Sequence, residues 1–356
     1  MTQTLVRPES PSVPVRSPRP SVRWERWLGP AWLWGLLLGT VVVGFVASPH
    51  FLTTLNLSNV LQQSAPLVIL VAGQTFALIV AGVDISVAAT ISMGTTLMMM
   101  IVDGDPGRIP LGLLAVLGAG IGVGLLNGLA TTLLEVPAFI VTFGVASIVQ
   151  GVVFWYTDQL NVGAPAPQMT EWGYKAWGPV PFLALVALAF VALALFVQNR
   201  TRFGRWMFAV GGSDEVARLA GIPVRRVRVM AYVFCSVSAV VASVAISFRT
   251  GSGDPIGGAG FDWDSVAAVV IGGTALTGGR GGVAGSVLGA LLLITMGNIM
   301  NLVGVSGFWQ IVVQGAVVVF AVTVSTAQTR RAQRMARTNI PLVATRRRLS
   351  IRGGKA

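Results

Sequence analysis

Two glycine-rich runs, residues 118–128 and 271–282, are the segments whose composition would suit a nucleotide phosphate. The first run, GAGIGVGLLNG, lacks the G-x-G-x-x-G spacing of dinucleotide-binding turns, and no strand precedes it. The second run, IGGTALTGGRGG, lacks the Gly-Lys-Ser/Thr ending that supplies a lysine to the phosphates and a hydroxyl to magnesium. The sequence therefore predicts no ATP site in this chain.

Metal and thiol chemistry lack the residues that they need. The chain has one cysteine, Cys235, and one histidine, His50, so a zinc site would require these two residues to meet. Cys235 lies in an apolar run, where a buried thiol packs as a small hydrophobic group. Because no His–carboxylate cluster and no Ser–His pairing is in reach, we expect no metal site and no catalytic site.

The composition indicates that lipid is the solvent for most of the chain. Of the 356 residues, 54% are hydrophobic and 11% are charged, whereas soluble domains carry about 25% charged residues. Apolar windows of about 20 residues predict an all-α polytopic membrane protein with about ten transmembrane helices, several of them short or broken. The predicted spans are residues 30–48, 64–81, 85–102, 111–134, 138–156, 180–198, 229–248, 264–277, 283–303 and 308–328.

Two breaks are predicted within these spans. The run IGGTALTGGRGG follows a span of only about 14 residues, too short for a straight helix to cross a core of about 30 Å. The other break is AGVDIS, residues 81–86, where Asp84 separates two apolar runs. A carboxylate in a bilayer costs roughly 2.5–3.5 kcal/mol on insertion scales, so its position needs a reason. Two interpretations stay open: Asp84 caps a helix that begins at Ile85 at the membrane edge, or it lines a polar path.

Helix packing explains the remaining glycine spacing. Small residues four positions apart let helices approach closely in lipid. The pairs in the fourth span are Gly118 with Gly122, Gly120 with Gly124, and Gly124 with Gly128. Gly281, Gly285 and Gly289 repeat the spacing at the ninth span.

The lysines and arginines predict the orientation. If the chain has ten spans and both termini are cytoplasmic, 22 of the 25 lysines and arginines lie on the cytoplasmic side, where positive residues are usually enriched. The three outer residues are Arg108, Lys175 and Arg249. The net charge of +12 is therefore attributed to the cytoplasmic leaflet, where anionic lipid attracts it, and no nucleic-acid partner is expected.

This pattern divides the chain into three parts. Residues 1–26 read as a disordered basic tail, residues 27–328 as the transmembrane domain, and residues 329–356 as a basic cytoplasmic tail. Outside, residues 157–179 contain the tryptophans and tyrosine of an interfacial belt. Residues 249–263 are predicted to be an outer loop, either a plain connector or a docking surface for an extracytoplasmic partner.

The charged segment 199–229 contains one short helix with both ends marked. Ser213 is placed to cap its first turn, and Gly221 followed by Pro223 ends it. The first turn holds Asp214 and Glu215 and the last turn holds Arg218, as the helix dipole favours. Val216, Leu219 and Ala220 give it an apolar face. A helix of about two turns is marginal by itself, so we predict that it packs against a partner.

Four segments in order resemble a known family, the membrane-spanning permease subunits of bacterial ATP-binding-cassette importers for ribose, xylose and related monosaccharides. They are GQTFALIVAGVDISVAATISMG (73–94), VPAFIVTFGVASIVQG (136–151), GRWMFAVGGSDEVARLAGI (204–222) and AAVVIGGTALTGGRGGVAGSVLGALLL (267–293). The resemblance implies a permease dimer, of identical or paralogous chains, that meets cytoplasmic ATPase subunits and an extracytoplasmic sugar-binding protein. ATP and magnesium would then lie on the ATPase.

The resemblance also implies that the short helix is the coupling helix, which contacts the ATPase. The family motif falls on Gly211, Gly212, Glu215, Ala217, Arg218, Gly221 and Ile222, and Ser213 replaces a frequent Asn. The residues predicted to couple to the ATPase are Gly212, Ser213, Asp214, Glu215, Val216, Ala217, Arg218, Leu219, Gly221 and Ile222. A further departure is AGVDISVA at 81–88, where the family usually has Gly-Gly-Ile-Asp-Leu-Ser-Val-Gly.

The substrate path is predicted from polar or aromatic residues within the spans. The candidates are Gln74, Asp84, Asn127, Phe139, Thr142 and Asn298. Each polar member has a competing interpretation as a hydrogen bond between helices. A different function also remains open, an ion-coupled secondary transporter or channel for a small polar solute, because such proteins use broken helices at their binding sites.

Overall fold

The structure, a computed structural model, describes residues 30–134 and 136–317 together with residues 319 and 323. The two predicted basic tails, the segment 27–29 and the end of the tenth predicted span lie outside the described residues. In the described part, the helices surround a core built on one central helix, and a two-stranded hairpin is the only sheet, β1 (Ala176–Trp177) with β2 (Val180–Pro181).

The helices confirm a polytopic membrane architecture. In chain order they are α1 (Ala31–Ala47), α2 (Thr54–Ile79), α3 (Val87–Val102), α4 (Ile109–Leu133), α5 (Ala138–Thr157), α6 (Pro167–Tyr174), α7 (Phe182–Arg200), α8 (Arg202–Gly212), α9 (Asp214–Leu219), α10 (Val224–Thr250), α11 (Phe261–Ile271) and α12 (Val283–Leu302). Residues 307–317 are helical as well. Among the described residues, six helices are long and apolar enough to cross a membrane, namely α2, α4, α5, α7, α10 and α12.

The two ends of the bundle differ in what they carry. One end, called the hairpin face, holds α6, β1 and β2 and the start of α2. The other end, called the arginine face, holds α8 and α9 with the arginines of residues 200–228. Helix α2 runs between the two faces and is buried without interruption from Ser64 to Ile79. A helix that is apolar on all sides belongs inside a bundle, which explains its central position.

Glycines set a close contact in the bundle, between α4 and α10. A Cβ built on Gly124 would lie 2.5 Å from a backbone Cα of α10, and one on Gly128 would lie 2.7 Å from another. A Cβ built on Gly120 would meet the Val240 side chain of α10. Gly118 and Gly122 face open space instead. The predicted small-residue packing is therefore confirmed for the row 120–124–128. The row 118–122 lies on the opposite side of the helix and packs against no described helix of this chain.

Both predicted helix breaks are present. The first separates α2 from α3 between Ile79 and Val87, and the second separates α11 from α12 between Ile271 and Val283. Helix α11 has 11 residues, about 16 Å, so it crosses only part of a membrane core of about 30 Å. The predicted span 264–277 was wrong in extent, because the helix begins earlier and stops at the glycines.

The predicted outer loop 249–263 is wrong for most of its length. Helix α10 continues to Thr250, and residues 251–260, here called the re-entrant segment, then run back along α3. The Gly258 N–H donates to Ser92 Oγ at 3.1 Å, and Ser92 is ten residues, about 15 Å, below the end of α3 at the hairpin face. The segment thus reaches about 15 Å from the hairpin face into the bundle, where α11 begins.

Candidate functional site

Helix α9 has the ends that its sequence predicts. The Ser213 hydroxyl oxygen accepts a hydrogen bond from the Val216 N–H at 3.3 Å. At the other end Gly221 adopts a positive φ of 74°, and the Ile222 N–H donates to the Ala217 carbonyl at 3.0 Å. These bonds stop the helix after two turns and turn the chain into α10.

The apolar residues of α9 are left uncovered in this chain. Val216 is 65% exposed and Leu219 is 84% exposed, whereas Ala217 is buried against the rest of the bundle. Ala220, which was predicted to share the apolar face, is also exposed. Two large apolar side chains therefore project from the arginine face, where a partner surface can cover them.

An ion pair fixes α9 to the start of α10. The Arg228 guanidinium donates to both carboxylate oxygens of Asp214, at 2.8 and 3.0 Å. Both bonds come from one guanidinium nitrogen, Nη2, and both side chains are partly buried, so the contact is a charge-assisted hydrogen bond shared between the two carboxylate oxygens. The short helix is thus held as a rigid projection on the arginine face.

Helix α8 was missed by the sequence prediction, which treated residues 199–229 as one charged segment with a single helix. The Thr201 hydroxyl oxygen accepts the Gly204 N–H at 3.1 Å and begins this helix. Gly204, Met207 and Val210 are its buried residues. Their spacing of three is the signal that would have revealed an amphipathic helix among the arginines.

Gly211 in the last turn of α8 contacts both helix breaks through backbone atoms. A Cβ on Gly211 would lie 2.5 Å from the Gly279 nitrogen and closer still to the Ile79 carbonyl oxygen. The Gly279 N–H donates to that same Ile79 carbonyl at 2.9 Å. The end of α2, the break after α11 and the end of α8 therefore meet at one point. A Cβ on Gly212, one residue later, would meet no atom within 4 Å.

A buried polar cluster lies in the first break. The Asp84 carboxylate accepts the Ser86 N–H at 2.9 Å and the Ser86 hydroxyl at 2.6 Å. The Asn127 amide donates to Ser86 Oγ at 2.7 Å and lies 3.4 Å from Asp84 Oδ1. Because α3 begins at Val87 and its cap residue is Ser86, the interpretation of Asp84 as the cap of a helix from Ile85 is wrong; Asp84 is 0% exposed and bonds to Ser86 instead.

Three further side chains extend this cluster. The Gln74 amide donates to the Asp84 carbonyl at 3.1 Å, and the Cys235 thiol donates to the Gln74 side-chain oxygen at 3.0 Å. The Thr142 hydroxyl donates to the Val83 carbonyl at 3.1 Å. Of the predicted path residues, Gln74, Asp84, Asn127 and Thr142 therefore meet around one break.

The other two predicted path residues lie elsewhere. Phe139 is 51% exposed at the start of α5. Asn298 is paired with Asn56, each amide donating to the other, at 2.8 and 3.0 Å. Its polar groups join α12 to the start of α2, which is the helix-to-helix role named as the competing interpretation.

A cavity of about 900 Å³ opens on the arginine face beside this cluster. Its lining includes the Asp214–Arg228 pair of the α9 region and Tyr232 of α10. Within the described residues, the Tyr232 hydroxyl and the Asn127 side-chain oxygen are buried and have no hydrogen-bond partner. Unpaired buried polar atoms are costly, so the cluster retains hydrogen-bonding capacity that its own side chains do not use. In the described part of the chain, no group of histidine, cysteine or carboxylate residues is arranged to hold a metal ion.

Comparison with known proteins identifies the class of this chain. Residues 56–322 match the family model described as branched-chain amino acid transport system / permease component. No solved structure matches the chain. Among curated proteins it is 36% identical to the ribose import permease protein RbsC of Bacillus subtilis, over 81% of this chain and 89% of the relative.

Two relatives from Escherichia coli strain K12 give the same result. The ribose import permease protein RbsC of that organism is 32% identical over 85% of this chain and 97% of the relative. The D-allose transport system permease protein AlsC is 29% identical over 81% of this chain and 88% of the relative. The chain is thus a multi-pass protein of the bacterial cell membrane, a transporter subunit rather than an enzyme, and it belongs to the family of branched-chain amino acid transport system permease components.

Proposed function

We propose that this chain is the transmembrane permease subunit of an ATP-binding-cassette importer that moves a monosaccharide of the ribose or xylose type. An extracytoplasmic binding protein delivers the sugar, and separate cytoplasmic ATPase subunits drive its movement. The observation that carries the proposal is α9, a rigid helix that presents Val216 and Leu219 uncovered on the arginine face. The relatives that transport ribose and D-allose support the substrate class.

The orientation follows from the charges of the two faces. We propose ten spans with both termini in the cytoplasm, which makes the arginine face cytoplasmic. Seven arginines lie in residues 199–229 near that face, whereas the hairpin face has Arg108, Lys175 and Arg249. An excess of positive charge is typical of cytoplasmic loops. The arginines of this loop then hold it at the anionic lipid surface.

Helices α8 and α9 each transmit the motion of the ATPase to a different part of the membrane domain. Val216 and Leu219 fill an apolar groove on the ATPase, and the Asp214–Arg228 ion pair passes the motion of α9 to α10. Gly211 passes the motion of α8 to both helix breaks, because its backbone touches them directly. A transporter needs such a connection, since the ATPase must bias two conformations of the spans.

Four of the six predicted path residues remain candidates for the substrate path. Gln74, Asp84, Asn127 and Thr142 lie together at a break in the helices and beside the cavity on the arginine face, so we keep them as path residues. Broken backbone within a membrane is tolerated where it lines a watery cavity or is covered by protein. We propose a second copy or a paralogue of this chain as the dimer partner, as the family resemblance implies.

The coupling proposal is tested by the double variant Glu215→Arg with Leu219→Asp in the assembled importer. We expect loss of ATPase binding in pull-down and loss of stimulated ATP hydrolysis, while the permease still inserts and dimerises. The matched control makes the same two changes on the hairpin face, Glu171→Arg with Leu160→Asp, and retains ATPase binding. Normal sugar transport by the α9 double variant would contradict the proposal.

A second candidate function is an ion-coupled secondary transporter or channel. The buried Asp84 carboxylate favours it, because among the described residues no lysine or arginine forms an ion pair with this side chain. Liposomes that contain only this chain and an ion gradient decide between the two. Sugar uptake there supports the second candidate, whereas uptake only with ATPase, ATP and binding protein supports the importer.

A further inference from the structure

A polar cavity of about 370 Å³ opens on the hairpin face, away from the cluster at Asp84. It lies between α2, the end of α10 and the re-entrant segment. Its volume falls within the range of about 300–1,000 Å³ that is usual for small-molecule sites. The residues that give it chemistry are Gln63, Asn161, Arg249, Thr250, Asp254 and Phe261.

Three polar side chains that line the cavity have no hydrogen-bond or ion-pair partner in the described part of this chain. Among the contacts of the described residues, the side chains of Gln63, Asn161 and Arg249 make no hydrogen bond and no ion pair. Arg249 is partly buried, so its five N–H donors are only partly hydrated. Gln63 and Asn161 are exposed in this chain, so their amides face the open space of the cavity and are available to a ligand that enters it.

The wall formed by the re-entrant segment is fixed from behind. The Thr95 hydroxyl donates to the Asp254 carbonyl at 3.0 Å, and the Gln150 amide donates to the Pro255 carbonyl at 2.8 Å. Gly258 is held by Ser92 on the same side. These bonds occupy the side of the segment that faces α3 and α5 and leave Asp254 and Gly257 lining the cavity.

The cavity extends from the hairpin face into the bundle along α2, which is the direction in which an imported sugar has to move. Asn161 and Thr250 lie near the hairpin face, whereas Gln63 and Pro66 lie about 14 and 18 Å along α2 from its start at Thr54. Phe261 begins α11 at the inner end of the re-entrant segment. Polar groups at such a depth need water or a polar ligand.

We propose that this cavity is the site where the monosaccharide first binds the permease after its delivery. This inference rests on the proposed function. The Arg249 guanidinium donates to sugar hydroxyls, the Gln63 and Asn161 amides both donate and accept, and the Asp254 carboxylate accepts. The ring of Phe261 packs against the C–H face of the sugar. A polyol suits this set because every hydroxyl is both a donor and an acceptor.

The first test uses the complete importer with D-ribose and D-allose as probes. Arg249→Gln and Gln63→Leu are each expected to lower uptake at subsaturating sugar by about tenfold or more, because sites built to hydrogen-bond a ligand lose strongly when a partner is missing. Receptor-stimulated ATP hydrolysis is expected to continue. The matched control is Arg108→Gln, an outer cation that pairs with Asp105 and lies outside the cavity. Uptake by both cavity variants equal to that of the control overturns the inference.

The second test reports binding without transport. Cys235 is fully buried, so within this chain only a cysteine placed by Ser252→Cys reacts with a water-soluble thiol reagent, and labelling is read on the permease band alone. In the complete importer, D-ribose or D-allose is expected to slow this reaction several-fold, and a sugar that is not transported is expected to leave it unchanged. An unchanged rate while uptake proceeds overturns the site but leaves the importer function standing.

Two other outcomes are distinguishable. If Arg249→Gln reduces co-sedimentation of the binding protein with the permease, and sugar gives no protection, the cavity is a docking surface and the inference is overturned. If the wild-type importer takes up neither of these sugars nor D-xylose, the proposed function fails, and the inference fails with it.

Discussion

Replacing Gly211 by alanine is the sharpest test of how motion reaches the membrane helices, because Gly212 provides a control one residue away. Both glycines lie in the last turn of α8, so alanine gains about the same helix propensity at each, up to about 1 kcal/mol. Only at Gly211 does the added methyl group meet backbone, the Gly279 nitrogen at 2.5 Å and the Ile79 carbonyl oxygen.

The expected magnitude follows from the difference between the two sites. Overpacking typically costs about 1–3 kcal/mol, and neither neighbour at Gly211 is a flexible side chain that can move aside. The propensity gain is common to both variants and cancels in their comparison. Gly211→Ala should therefore be about 1–3 kcal/mol less stable than Gly212→Ala. The strain is relieved only by separating α8 from the two helix breaks.

The measurement is made on the purified protein and on the assembled importer. Thermal unfolding in detergent should give a lower Tm for Gly211→Ala than for wild type, and a Tm no lower than wild type for Gly212→Ala. In the importer, Gly211→Ala should transport less sugar per ATP hydrolysed, while ATPase binding is retained. If the two variants have equal Tm and equal coupling, the backbone contact at Gly211 does not carry the motion.

Three further predictions concern the bundle, the cluster and the ion pair. Gly124→Val should push α4 away from α10 and lower the Tm, whereas Gly122→Val, which faces open space, should not; equal Tm values would contradict this packing. Asp84→Leu should leave the Ser86 N–H and hydroxyl without an acceptor and destabilise the protein by about 1–3 kcal/mol for each. A Tm equal to that of the wild type would contradict the stabilising role of these hydrogen bonds. Asp214→Arg and Arg228→Asp should each reduce coupled ATP hydrolysis, and the exchanged double variant should restore it; because both side chains are partly exposed, the effect on stability should stay below about 1 kcal/mol.

Local signals in the sequence were sufficient for α9. Its cap, its charged first turn and its terminal glycine act over neighbouring residues, so Ser213 and Gly221 define the helix without knowledge of the rest of the fold. The helix breaks were also predictable, since glycine runs and a carboxylate interrupt apolar segments. The role of Gly211 was not predictable, because it depends on backbone from two distant parts of the chain.

The re-entrant segment shows why the outer loop was misread. Its glycines and Asp254 give it the composition of an exposed connector, and hydropathy alone places such residues in water. Its membrane depth comes from hydrogen bonds to Ser92, Thr95 and Gln150, which lie more than 100 residues earlier. The cavity beside Arg249 could not be predicted from the sequence either, because its lining residues come from distant parts of the chain.

The same long-range bonds constrain the biogenesis of the protein. Unpaired backbone amides and carbonyls cannot remain in lipid, so the re-entrant segment cannot enter the bilayer as an independent unit during synthesis. It can insert only after α3 and α5 have assembled, because Ser92, Thr95 and Gln150 on these helices are its hydrogen-bond partners. Residues 251–260 are therefore inserted only after the first half of the chain has assembled. A chain released before residue 251 would leave Ser92, Thr95 and Gln150 without these partners.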